Sequence, residues 1–178
     1  MYSNFCGRPG RYFLITVALI TSAIAAAAQK DSQKDRGIGF TLSAQADAKD
    51  VGLPIYPGAR PHKDPSNEDP ALQMGAWGTS SGFKLVVLKM ESNDSPSKVA
   101  AFYRKALTRY GPVLDCSQAS ESTGKQNGKT LDCGDDHPKP GGVELKSGTK
   151  DQQHVVGIEP NGSGTVFALV YVESHGNE

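Results

Sequence analysis

The sequence predicts an α+β domain, an antiparallel sheet with one main helix (about residues 95–110) packed on one face. Three observations carry that expectation. Residues 95–111, SPSKVAAFYRKALTRYG, have a helical apolar period. Phe83–Met90 and Thr165–Glu173 are long apolar runs of strand-forming residues. The order is strands, then helix, then strands, which separates the two element types instead of alternating them.

The chain opens with Arg8 and Arg11 and has no acid before the apolar run Tyr12–Ile20. Small residues follow, Ser22-Ala23-Ile24-Ala25-Ala26-Ala27-Ala28. This is the layout of a secretory signal peptide, with cleavage expected after Ala27 or Ala28. The run is short for a membrane span, so an uncleaved anchor is the alternative reading. Cys6 precedes the run and so cannot carry a lipoprotein lipid. Residues 29–38 read as a flexible leader, 39–174 as a single α+β domain and 175–178 as a tail. The protein is therefore expected to be exported, periplasmic or secreted, with no stable membrane anchor after cleavage. The whole chain has 19 basic and 19 acidic residues. Loss of Arg8 and Arg11 leaves two more acids than bases, which gives no electrostatic reason to expect nucleic acid.

In the body of the chain, Phe40, Leu42, Ala44 and Ala46 alternate with polar residues and predict a half-buried strand over Phe40–Ala46. Pro57-Gly58 suits the centre of a type II turn, because proline presets the first position and glycine supplies positive φ at the second. Leu53, Ile55 and Tyr56 are apolar enough to pin that segment to the core. Arg60–Pro70 reads as a charged loop. Leu72–Thr79 and Phe83–Met90 read as a hairpin around Ser80-Ser81-Gly82.

In the helix, Val99, Phe102, Tyr103, Ala106, Leu107 and Tyr110 fall on one stripe. Ser95 suits the N-cap and Pro96 the first helical position. Gly111 and Pro112 suit the stop, with Gly111 left-handed. Beyond it, Val113–Cys116 and Thr130–Cys133 are expected to pair side by side. Gly142–Lys146, Val155–Glu159 and Thr165–Glu173 are further strands, and Asn161-Gly162 marks a hairpin between the last two. Cys116 and Cys133 are the two cysteines of the body, and in an oxidising compartment they read as a disulfide.

The run Leu53-Pro54-Ile55-Tyr56-Pro57-Gly58-Ala59, with Val99-x-x-Phe102-Tyr103-x-x-x-Leu107 downstream, resembles a group of uncharacterised bacterial secreted or lipoprotein domains. These share a P-x-Y-P-G-A segment and a V-x-x-F-Y-x-x-x-L helix. The resemblance implies an extracytoplasmic bacterial domain. It implies no activity, cofactor or site residue.

No complete catalytic constellation is legible. There is no G-x-S-x-G, and neither glycine-rich stretch follows a strand and opens a helix. Asp135, Asp136 and His137 are donors for a divalent cation, with His62 and Asp64 in another loop as candidate completing ligands. The plainer reading is a solvated loop, so no metal and no cofactor are expected. Trp77 and Tyr56 are the candidate binding residues, Trp77 because it lies near a glycine turn where its ring can stack on a ligand. His154 reads as an edge residue. The favoured function is a non-catalytic module that binds an unknown protein, an envelope component or a small ligand. A small metal-dependent hydrolase using the Asp135-Asp136-His137 loop is the alternative.

Neither Phe83–Met90 nor Thr165–Val172 alternates apolar with polar residues, so both sheet faces should be covered. The helix covers one. The expected cover for the other is the Leu53–Ala59 segment, which gives a monomer, with a dimer as the alternative.

Overall fold

A computed structural model of the chain describes residues 38–63, 69–117, 124–126, 129–133 and 138–176. The first strand, β1 (Gly39–Ser43), leads to a short helix, α1 (Ala48–Val51). Asp47 caps α1 through Lys49 and Asp50, the Asp50 side chain returns to the Asp47 amide, and Gly52 ends it at φ +75°. This reciprocal capping is a local sequence signal, and it makes a helix where the sequence reading had none. A two-residue strand, β2 (Arg60–Pro61), pairs with Glu91 and Met90 of a later strand, so the charged loop begins inside the sheet.

The hairpin β3 (Ala71–Trp77) and β4 (Gly82–Ser92) leads into the main helix, α2 (Pro96–Leu107), which tightens into a 3-10 turn over Thr108–Tyr110. Then come β5 (Leu114–Asp115), β6 (Gly124–Gln126), β7 (Lys129–Leu131) and β8 (Val143–Thr149). The chain ends in a long hairpin, β9 (Gln152–Asn161) and β10 (Gly164–His175). The main sheet runs β1-β3-β4-β10-β9-β8-β5, with β2 beside β4, and these neighbours pair antiparallel. The α+β class expected from the sequence is the class observed. Among the described residues no helix is long and apolar enough to cross a membrane.

The helix buries the expected stripe. Val99, Ala100, Tyr103 and Leu107 are buried, and Phe102, Ala106 and Tyr110 pack against them. Its ends differ from expectation. The Ser95 hydroxyl meets Ser97 Oγ at 3.0 Å and makes no cap bond to the backbone. Gly111 sits at φ +129° and ψ −161°, outside the left-handed helical well and in a region that glycine alone enters readily.

Sheet parity sets the layers. On β4 and β10 the pairs Val86–Tyr171, Leu88–Leu169 and Met90–Phe167 point toward α2, and Val156 and Ile158 of β9 extend that layer. The Leu53–Ala59 segment lies in this same layer, which overturns its expected place on the far face. The cause is Tyr103. Its hydroxyl donates to the Pro54 carbonyl at 3.2 Å and accepts from the Tyr56 amide at 3.1 Å. The Tyr56 ring then meets Phe102 and Phe167 edge-on, at 5.2 and 6.4 Å. Pro57-Gly58 does form the expected turn, with the Ala59 amide donating to the Tyr56 carbonyl and Gly58 at φ +77°.

Two further expectations are corrected. β7 pairs with β6 in a separate two-stranded sheet and not with β5, whose partner is β8. The expected hairpin between β9 and β10 forms, turning on Gly162-Ser163 between the paired Asn161 and Gly164, with Gly162 at φ +59°. Phe40 and Leu42 of β1 are 67% and 62% exposed instead of half-buried, and among the described residues no helix packs on the layer toward which they point.

Candidate functional site

Among the described residues, the sheet face turned away from α2 carries no covering helix. Phe40 and Leu42 of β1 lie beside Ala76 and Met74 of β3, and these lie beside Phe83 and Leu85 of β4. Val87 of β4 continues the layer to Val170 of β10, and Leu85 continues it to Val172. Five large apolar side chains are prominent at the surface of the described residues: Ile38, Phe40, Leu42, Trp77 and Phe83. All five belong to β1, its leading residue, or the facing end of the β3–β4 hairpin. Their clustering in one corner is unlike the scattered apolar exposure that needs no explanation.

Trp77 stands at the same corner but on the other face, with the parity of Gln73, which pairs with Val86. A side chain built on Gly39, its cross-strand partner, would come within 2.3 Å of the indole. The ring therefore lies over the Gly39 backbone, and glycine is required there for close approach. At 48% exposure the indole still offers a surface to a ligand. Tyr56, the other sequence candidate, is elsewhere. Its hydroxyl donates to Asp94 Oδ2 at 2.9 Å, and its ring lies in the helix layer near Phe167. Phe167 pairs with Met90 while Trp77 pairs with Gly82, so the two candidates lie toward opposite ends of β4. The structure does not bring them into one site.

The far end of the open face is polar. A groove of about 910 Å³ is floored by Gly157 and Ala168, which are direct cross-strand partners. A side chain at Gly157 would meet nothing within 4 Å, so the floor is low. His62, Glu91, Lys139 and Glu159 stand at its rim. Glu91 accepts from Arg60 Nε at 2.6 Å and lies 2.6 Å from His62 Nδ1. The hydrogen bond with His62, and then that with Arg60, hold its carboxyl below the usual range. These bonds tie β2 and the segment after it to β4. An imidazole–carboxylate pair also occurs in hydrolytic sites, but catalysis needs a nucleophile or a metal beside it. Asp64, Asp135, Asp136 and His137 lie outside the described residues. Among the described residues no three His, Cys, Asp or Glu side chains converge as metal ligands.

Beside the groove, Cys116 and Cys133 form a disulfide with Cα atoms 5.3 Å apart. Leu114, Cys116, Leu131 and Cys133 make a small second core. Lys146 donates to the Cys133 carbonyl at 2.7 Å and pairs with Glu144 at 3.1 Å. This covers the β5–β8 margin of the open face.

The sequence reading missed Phe40, Leu42, Phe83 and Leu85 as surface residues. The only sequence signal for them is the apolar residues on both parities of β4 and β10, which does not show whether a face is covered. No family model matches the chain, and no curated protein or solved structure is significantly similar to it.

Proposed function

We propose that this chain is a non-catalytic binding module that works outside the cytoplasm and engages its partner through the open sheet face. One observation carries the reading. The corner formed by β1 and the β3–β4 hairpin exposes Phe40, Leu42 and Phe83 on one face, above half-buried Met74 and Leu85. Leaving such a contiguous apolar layer in water forgoes the free energy of its burial, roughly 25 cal/mol per Å². Contiguous exposed apolar layers on soluble domains mark contact surfaces. The Cys116–Cys133 disulfide supports an oxidising compartment.

The test is a photo-activated cross-linking residue placed at Leu85 and, as control, at Lys98 on the solvent side of α2, in cells that express the chain. Adducts from position 85 and none from position 98 are expected. No adduct from position 85, with the chain folded and exported, overturns the reading.

A further inference from the structure

We infer that β1 pairs, antiparallel and centred on Thr41, with β1 of a second copy of this chain. The inference rests on reading the open face as a contact surface and names what meets its exposed corner. It starts from the edge. β1 is the first strand of the sheet order, with β3 on one side. Among the described residues no strand pairs with its other side, whose backbone donors and acceptors template a further strand. Sheet edges are usually protected by charge, proline or a bulge. Residues 38–46, IGFTLSAQA, contain no charge and no proline, and β1 pairs with β3 residue for residue without a bulge.

Why a second copy fits follows from symmetry. An antiparallel two-fold pair sets like face beside like face, so Phe40 can only oppose residues that share its face. Centring on Thr41 uses all five strand residues. It sets Phe40 of each copy opposite Leu42 of the other, and Thr41 opposite Thr41. Both are stabilising cross-strand pairs. A strand that pairs with itself also meets its own charges, and like charges directly opposite each other repel. The uncharged run removes that penalty.

The opposite sheet edge explains why the contact closes. β5 is two residues long, and its continuation at Cys116 is held to Cys133. It offers no long edge to β1 of another copy, so head-to-tail growth into a fibre is blocked and the isologous pair remains. One five-residue strand per copy is a small contact, below about 1,200 Å² in total, the size of a transient dimer and not of an obligate one.

Sedimentation of the purified chain over increasing concentration should show a reversible monomer–dimer equilibrium. Phe40→Lys and, separately, Leu42→Lys should shift it at least tenfold toward monomer. Both side chains are exposed in the single copy, so the melting temperature measured at low concentration should hold. Using two variants guards against misfolding of either. Register is read in a Cys6→Ser chain. Thr41→Cys should form an intermolecular disulfide under mild oxidation, and Ser43→Cys, opposite Gly39, should not. A monomer up to about 1 mM overturns the inference. So do assemblies larger than a dimer, a dimer indifferent to both lysines, or equal cross-linking at Thr41→Cys and Ser43→Cys. A monomer whose position 85 still cross-links to another macromolecule overturns the self-pairing alone and leaves the contact-surface reading standing.

Discussion

The imidazole of His154 lies against the ring of Tyr110, with centroids 3.5 Å apart and planes 24° apart. Its Nδ1 is 3.0 Å from the Val51 carbonyl, which can only accept, so Nδ1 carries the hydrogen. Tyr110 in turn donates to the Gly52 carbonyl. One tyrosine from the end of α2 and one histidine from β9 thus hold the end of α1. His154 is no edge residue, as its sequence position suggested. It is buried, facing Ser147 of β8 and Tyr171 of β10.

Burial, with Arg109 adding repulsion against the bond to Val51, lowers the His154 pKa to about 4. The unfolded chain binds this proton near the ordinary value of about 6.5, and the folded chain does not until about 4. Stability contributed by neutral His154 is therefore complete above 6.5. It is lost as pH falls from 6.5 to 4 and constant below. Denaturant unfolding at pH 7 and at pH 4.5 should differ by about 2 kcal/mol from this group, allowing for partial solvent screening. His154→Gln should flatten that interval. Glu91, Asp94 and Glu173, held low chiefly by their hydrogen bonds, act in the same direction but only below their ordinary values, 4.5 for the glutamates and 3.8 for Asp94. An unchanged slope between 6.5 and 4.5 in the variant would assign the loss to other groups.

Tyr103 joins α2 to the Leu53–Ala59 segment through one oxygen. The side chain is fully buried, and burial pushes the hydroxyl well above the usual phenolic range. Tyr103→Phe keeps the ring but leaves the Pro54 carbonyl and the Tyr56 amide without this partner. A loss of about 1–3 kcal/mol in urea unfolding is expected. Tyr56→Asp places a carboxylate beside Phe102 and Phe167 and should be worse, with loss of cooperative melting. If Tyr103→Phe melts like the parent, water satisfies both groups and the hydroxyl is not the fastening.

The disulfide closes a loop with a sequence separation of 17. In the chain-entropy model that is worth about 3 kcal/mol. Reduction, or Cys116→Ser with Cys133→Ser, should lower the unfolding midpoint accordingly. The main core draws on α2, β4, β9 and β10 and contains neither cysteine. The variant should therefore remain folded at low temperature, with amide exchange quickened first around residues 114–133. Uniform acceleration across β4 and β10 would mean that the two cores are one cooperative unit.

Features determined by near neighbours were legible in the sequence. The α2 stripe, the Pro57-Gly58 turn and the β3–β4 hairpin each follow from side-chain spacing or backbone preference within a few residues. The Asp47–Asp50 capping box is an equally local signal. The candidate residues Trp77 and Tyr56 were visible as aromatic side chains, but nothing in their spacing shows that they lie toward opposite ends of β4.

Residue order alone shows that β4 and β10 carry apolar side chains on both faces. Which face is filled depends on packing between segments far apart in the chain. α1, α2 and the Leu53–Ala59 segment all pack on the same layer, and the two hydrogen bonds of the Tyr103 hydroxyl fasten the segment there. The other layer keeps Phe40, Leu42 and Phe83 at the surface. Alternation along a strand records that a residue is apolar. It carries no record of what arrives from 50 residues away to cover it, because burial is a property of the packed layers and not of the strand.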